Sequence, residues 1–209
     1  MKKLESSLLN MTLVLTGVAV IVGAILALVN DLTSGSIQEQ KAKALADGIK
    51  TVMVSDDIIV ASTDTVTQTN AKGKTLTYII YQTQDGQGHD LGAAIESTTG
   101  GFGGDLKVLV GFNCEGAILG YTLLEHAETP GLGAKADKWF QKGEKGDIIG
   151  KNPQEPLTVS KDGGQVDAIT ASTITSRAVL LAVNNAYNAY KAKPIADGET
   201  GASKKGATD

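Results

Sequence analysis

Between Ser6 and Asn30 the chain carries no charged residue, and Leu8–Val29 reads LLNMTLVLTGVAVIVGAILALV. As a helix rising 1.5 Å per residue, that run spans about 33 Å, enough to cross a hydrocarbon core of roughly 30 Å. A cleaved signal peptide is the rival reading, but its apolar region usually runs to about 7–15 residues and ends in a small-x-small site. Here the run is longer and closes on Ala27-Leu28-Val29-Asn30-Asp31. The expectation is an uncleaved single-pass anchor over residues 8–30, with residues 1–7 ahead of it. Lys2 and Lys3 precede the span, and beyond it Asp31 and Glu39 come before the first lysine, Lys41. The positive-inside rule then leaves the N-terminus in the cytoplasm and puts the body of the protein on the outer side of the membrane.

That body, residues 31–193, reads as one domain. Ser36-Ile37-Gln38-Glu39 has the form of a capping box, and Leu45, Ile49, Val52 and Met53 follow at helical spacing, which predicts a helix over 37–53. Runs rich in β-branched and aromatic residues at Ile58–Ala61, Thr75–Gln82, Lys107–Phe112 and Gly116–Glu125 predict strands. Pro156–Ser160 and Gln165–Ile169, flanking Lys161-Asp162-Gly163-Gly164, predict a further hairpin with an Asp-Gly turn. A last helix is predicted from near Thr175 to Tyr190, with Val179, Val183, Ala186 and Tyr190 on one face. Residues 194–209 lack the apolar content to pack and read as a disordered tail. Strands gathered between helices give an α+β class, with a central, mainly antiparallel sheet flanked by helices.

Composition narrows the function. With 19 basic against 23 acidic residues and no basic cluster, the chain lacks the footprint of a nucleic-acid surface. Its single cysteine, Cys114, cannot close an intramolecular disulfide or supply the thiolates of an iron–sulfur cluster. Two histidines, His89 and His126, argue against a histidine-rich metal site. Redox chemistry here would fall to an organic cofactor.

Three segments have the residue types for ligand binding. Asp167-Ala168-Ile169-Thr170-Ala171-Ser172-Thr173-Ile174-Thr175-Ser176 sets small and hydroxyl side chains between a strand and a helix start, where free N–H groups suit a phosphate. Thr173 or Thr175 serving only as a helix cap is the plainer alternative. His126-Ala127-Glu128-Thr129-Pro130-Gly131-Leu132-Gly133 ends a strand in a tight turn with open backbone. His126 and Glu128 there are a candidate acid–base pair, against a purely structural histidine. Gly101-Phe102-Gly103-Gly104 sets one aromatic ring among glycines, a place for a flat ligand or merely a loop.

In this order, behind one N-terminal anchor, these segments resemble the FMN-binding domain of the G subunit of Rnf electron-transport complexes (the RnfG family). The C subunit of the sodium-pumping NADH:quinone reductase is a related and alternative match. The lack of extra insertions favours the Rnf member. The resemblance implies FMN attached through its phosphate to the hydroxyl of Thr173 by a flavin transferase that uses FAD. Asp167 matches the motif's leading acid, with Thr170, Ala171, Ser172 and Thr175 around the attachment residue. Glu128, Thr129, Gly131, Leu132 and Gly133 are implied to lie near the flavin. Two positions depart from the pattern: Ala171 stands where glycine is common, and Ser172 where alanine is common. The implied function is a covalent flavoprotein electron carrier in a bacterial inner-membrane complex. That complex moves electrons between ferredoxin and NAD, coupled to sodium or proton translocation. The carrier itself needs no substrate chemistry of its own. A free-standing FMN-binding reductase and a non-redox anchored binding module are the competing readings.

Overall fold

The computed structural model describes residues 8–69 and 75–191, and the chain divides into two units at Ala44 and Leu45. The expectations for residues 1–7 and for the tail at 194–209 lie outside the described residues.

The first unit is helical. Helix α1, Leu8–Met53, begins with the apolar run and continues without a break into the second unit. The capping box at Ser36 therefore does not start a separate helix: Ser36 and Glu39 lie mid-helix, and local propensity yields to helix propagation. Side chains such as Leu15, Val20 and Leu26 are exposed, so no protein core holds this stretch. Thr12 donates its hydroxyl to the Leu8 carbonyl at 2.9 Å, which satisfies that polar group within the apolar segment. Among the described residues this is the one helix long and apolar enough to cross a membrane.

The second unit is built on five antiparallel strands in the order β1-β2-β3-β4-β5: Ile59–Thr69, Thr75–Gln84, Asp90–Gly100, Asp105–Phe112 and Ile118–Glu125. Alternation along β2–β5 gives the sheet two apolar faces, while β1 at the edge stays largely exposed. Two more helices follow the sheet, the short α2, Ala136–Trp139, and α3, Thr173–Tyr190; Tyr78, Ile80, Ile95, Val108 and Val110 join Val179, Val183 and Ala186 of α3 in the larger core. Tyr81, Ala94 and Leu109 pack with Ile49, Val52 and Met53 at the end of α1. The helical spacings read from both segments thus select the faces that are buried.

Two glycines set how closely α1 approaches. Gly111 of β4 lies opposite Gly120 of β5, and the Val52 carbonyl rests on this pair. A side chain at either position would meet that oxygen, so the sheet is kept bare where the helix ends.

Other elements differ from expectation as well, and β1 runs on to Thr69 where the sequence predicts a strand over Ile58–Ala61. β3 carries small residues, Gly92-Ala93-Ala94, where a strand signal needs bulk, yet it is the middle strand and mostly buried. The turn at Asp162-Gly163 exists, with Gly163 at φ 85°, but its flanks form no hairpin. Val159 and Val166 make a single parallel bridge around a 3₁₀ turn, Ser160–Asp162. Helix α3 starts at Thr173, two residues ahead of Thr175.

Candidate functional site

Three connections converge at one end of the sheet: Gly101–Gly104 between β3 and β4, the loop that follows β5, and the loop that enters α3. Glu128 ties them together. This carboxylate is 6% exposed, and its Oε1 accepts from the backbone amides of Phe102 at 2.7 Å and Gly103 at 3.2 Å. Its Oε2 accepts from the hydroxyl of Thr175, in the first turn of α3, at 2.7 Å. Gly101 and Gly133 stand so close that a side chain on either would strike this carboxylate. These glycines serve packing around Glu128.

The same three connections enclose a cavity of about 360 Å³, within the ~300–1,000 Å³ range of small-molecule sites. Glu128, Thr129, Leu132 and Gly133 form one side, Ala171–Thr175 another, and Phe102 closes a third. Phe102 and Leu132 are 50% and 43% exposed, and with Ile174 and Ala171 they give the wall an apolar part beside its carboxylate and hydroxyls. Gly131, Asp167 and Thr170 lie off this wall. Asp167 instead ties the loop to its neighbours: its carbonyl accepts from Trp139 Nε1 at 2.8 Å and its carboxylate from Ser160 Oγ at 3.2 Å.

The hydroxyls before and within α3 have different occupations. Ser176 donates to the Ser172 carbonyl and accepts from the Ile169 amide, both at 2.9 Å, which folds the loop onto the helix. Thr175 is buried on Glu128, and Ser172 is buried at the N-cap position without a capping bond. Thr173 is the first helical residue and half-buried, and its Oγ1 accepts from Lys161 Nζ at 3.1 Å. It is not the cap. Ala171 has φ 61°, the left-handed region that glycine enters without strain. That backbone lets the chain turn from the loop into the helix.

No hydrogen bond joins the side chains of the candidate pair His126 and Glu128 among the described residues. The Glu128 amide donates to His126 Nδ1 at 3.3 Å, and His126 Nε2 stands 3.8 Å from Asp137. Arg177, one turn along α3 from Thr173, makes a two-point ion pair with Asp162, at 2.7 and 2.6 Å. That guanidinium holds the Asp162 carboxyl below its ordinary range.

A family model described as the FMN-binding domain matches residues 101–188, a span that contains the whole cavity wall. Curated relatives cover more of the chain, and they are G subunits of ion-translocating oxidoreductase complexes. The one from Photorhabdus laumondii is 38% identical over 75% of this chain and 78% of its own length. That of Vibrio cholerae is 36% identical over 83% and 86%, and that of Shewanella piezotolerans 31% identical over 91% and 94%. The chain belongs to the RnfG family. The match to the Shewanella piezotolerans protein takes in 91% of the chain, whereas the FMN-binding model begins at residue 101, beyond α1.

Two residues at the site escaped the sequence reading of candidate ligands. Ile174 reaches the cavity wall because α3 begins two residues early. Lys161 reaches Thr173 because the predicted hairpin is a compact 3₁₀ turn that folds back on the helix start. No local pattern distinguishes that lysine from its neighbours.

Proposed function

We propose that this RnfG family member is a membrane-anchored electron carrier with FMN joined through its phosphate to Thr173. The observation that carries the reading is the Thr173 hydroxyl: it sits at the first residue of a helix, on the wall of a cavity within the FMN-binding segment. The donor set fits the group. The first turn of α3 offers free amides and the positive end of the helix dipole to a phosphate. Phe102 and Leu132 offer apolar surface to a flat ring, and Glu128 fixes the loops that carry them.

FMN supplies the redox chemistry, accepting and releasing electrons singly or in pairs. The chain's residues hold and orient. Thr173 provides the bond and Ser176 sets the loop around it. Thr129, Leu132, Gly133 and Ala171 form wall, Gly131 at φ 77° shapes the turn, Asp167 ties down the loop leading to Thr173, and Thr170 lies on that loop. Attachment comes from FAD by a flavin transferase. The Thr173 oxygen forms the bond to the FMN phosphorus, the anhydride bond between the two phosphates breaks, AMP leaves, and the hydroxyl proton passes to a base. By family resemblance the carrier works with other membrane and peripheral subunits of an Rnf-type complex, between ferredoxin and NAD, coupled to sodium or proton translocation. We place it in the bacterial inner membrane, spanning once at residues 8–30, with residues 1–7 cytoplasmic and the domain of 31–193 on the outer side.

Peptide mass spectrometry of the protein from its own membranes tests this. One FMN less water on the peptide holding Thr173, absent in Thr173→Ala, is the expected result. An unmodified peptide from a host that contains the transferase would overturn it.

A further inference from the structure

The positive end of α3 already has a cation beside it. Lys161 Nζ donates to Thr173 Oγ1 at 3.1 Å, on the first residue of the helix. The first turn holds no acidic residue, and Ser172 makes no capping bond. A helix N-terminus favours an anion and disfavours a cation, so the helix end itself does not attract this ammonium. The lysine is held there from outside the helix. Asp162, next to it on the 3₁₀ turn, is pinned by the two-point pair with Arg177 of α3, and Ser160 on the same turn is tied to Asp167. These two contacts fix the 3₁₀ turn that carries Lys161 beside the start of α3.

We infer that Lys161 is the cation that meets the phosphoryl group transferred to Thr173, with the Asp162–Arg177 pair as its positioning device. The inference rests on the Thr173 reading above and adds the residue that recognises the charge. An ammonium has no lone pair with which to take the Thr173 proton, so Lys161 does not act as the base. Its contribution is to the negative charge on the phosphoryl oxygens during transfer and in the finished diester. The diester, in turn, relieves the conflict between the ammonium and the helix end.

The test uses the full-length chain, made in a host without the transferase and then incubated with purified flavin transferase and FAD. Intact mass gives the initial rate of modification, and thermal melts compare each variant before and after it. Lys161→Gln should slow modification roughly tenfold or more, the loss of one charge-assisted hydrogen bond, while Lys161→Arg retains most of the rate. Unmodified Lys161→Gln should melt no lower than the unmodified native chain, and modified Lys161→Gln should melt below the modified native chain. That opposite response separates charge recognition from a merely structural lysine. Equal loss of stability in both forms, or native rate and native stabilisation in Lys161→Gln, overturns the inference and leaves Thr173 standing. A native chain that takes no flavin on Thr173 overturns both.

Discussion

The hydroxyl of Thr175 and the carboxylate of Glu128 meet at 2.7 Å across 47 residues of sequence, and this bond joins the loop after β5 to the first turn of α3. The other Glu128 oxygen takes two amides of the β3–β4 loop. Glu128→Ala would strand three donors, each worth ~1–3 kcal/mol when buried and unpaired, less what water entering the space restores. A loss of roughly 3 kcal/mol, or about 6–12 °C in melting temperature for a domain of this size, is expected. Glu128→Gln keeps one oxygen for the two amides and should lose less than half as much. Equal losses in the two variants would mean that the side chain acts by bulk and not by accepting hydrogen bonds.

Ala171 occupies left-handed backbone at φ 61°, where a Cβ costs ~1–2 kcal/mol and a β-branched side chain more. Ala171→Gly relieves that strain but loosens the unfolded chain by ~0.4–1 kcal/mol, so the net change should lie between about zero and 1.6 kcal/mol of stabilisation. Ala171→Val should destabilise by more than about 1 kcal/mol. Urea unfolding of both variants checks the pair. A stabilising valine would contradict the backbone assignment.

Much of this was legible in the sequence, and the misses share a physical cause. The apolar run from Leu8, the buried faces of α1 and α3, and strands β2, β4 and β5 carry strong periodic or β-branched signals. β3 does not, because a central strand covered by a helix on each face can use Gly92, Ala93 and Ala94, which look like loop residues. The Ser36 capping box is a genuine local preference overridden by a helix that is already propagating. At the site, Glu128, Thr173 and their neighbours could be singled out because the motifs that hold them are contiguous. Lys161 could not, since its relation to Thr173 depends on a turn whose flanks pair in parallel across one bridge. Ala171 appears in sequence as a small departure from a glycine pattern, and the positive φ gives that departure its meaning.

The Gly111–Gly120 pair that receives the Val52 carbonyl permits a comparison between neighbours in the same sheet. Gly111→Ala drives a methyl into the backbone of α1 and should destabilise by ~1–3 kcal/mol, the usual cost of overpacking. Gly120→Ala places its Cβ 2.9 Å from the same oxygen and should cost somewhat less. Because α1 leads from the apolar segment to the sheet, hydrogen exchange in Leu45–Met53 should rise in Gly111→Ala before it rises in the strands. Uniform acceleration across the domain would mean that the helix end and the sheet open as one unit.

The ladder between β2 and β3 ends at Ile79 and Glu96, and the next residues on the two strands, Tyr78 and Ser97, are buried with hydroxyls that find no partner among the described residues. Burial pushes the Tyr78 phenol up to about 12. In the unfolded chain a tyrosine ionises near ~10, so the folded state holds this proton more tightly. Stability from Tyr78 is therefore complete below pH ~10 and is lost as pH rises from there through about 12, a fall of roughly 2–3 kcal/mol. Tyr78→Phe removes that loss. It also removes a hydroxyl that pays desolvation without a compensating bond, so at pH 8 it should be neutral or stabilising by up to ~1 kcal/mol. Urea unfolding at pH 8 and pH 11 decides: the native chain should weaken between the two more than Tyr78→Phe does. A variant that is destabilised at pH 8 would show that the phenol hydroxyl has a hydrogen-bond partner in solution.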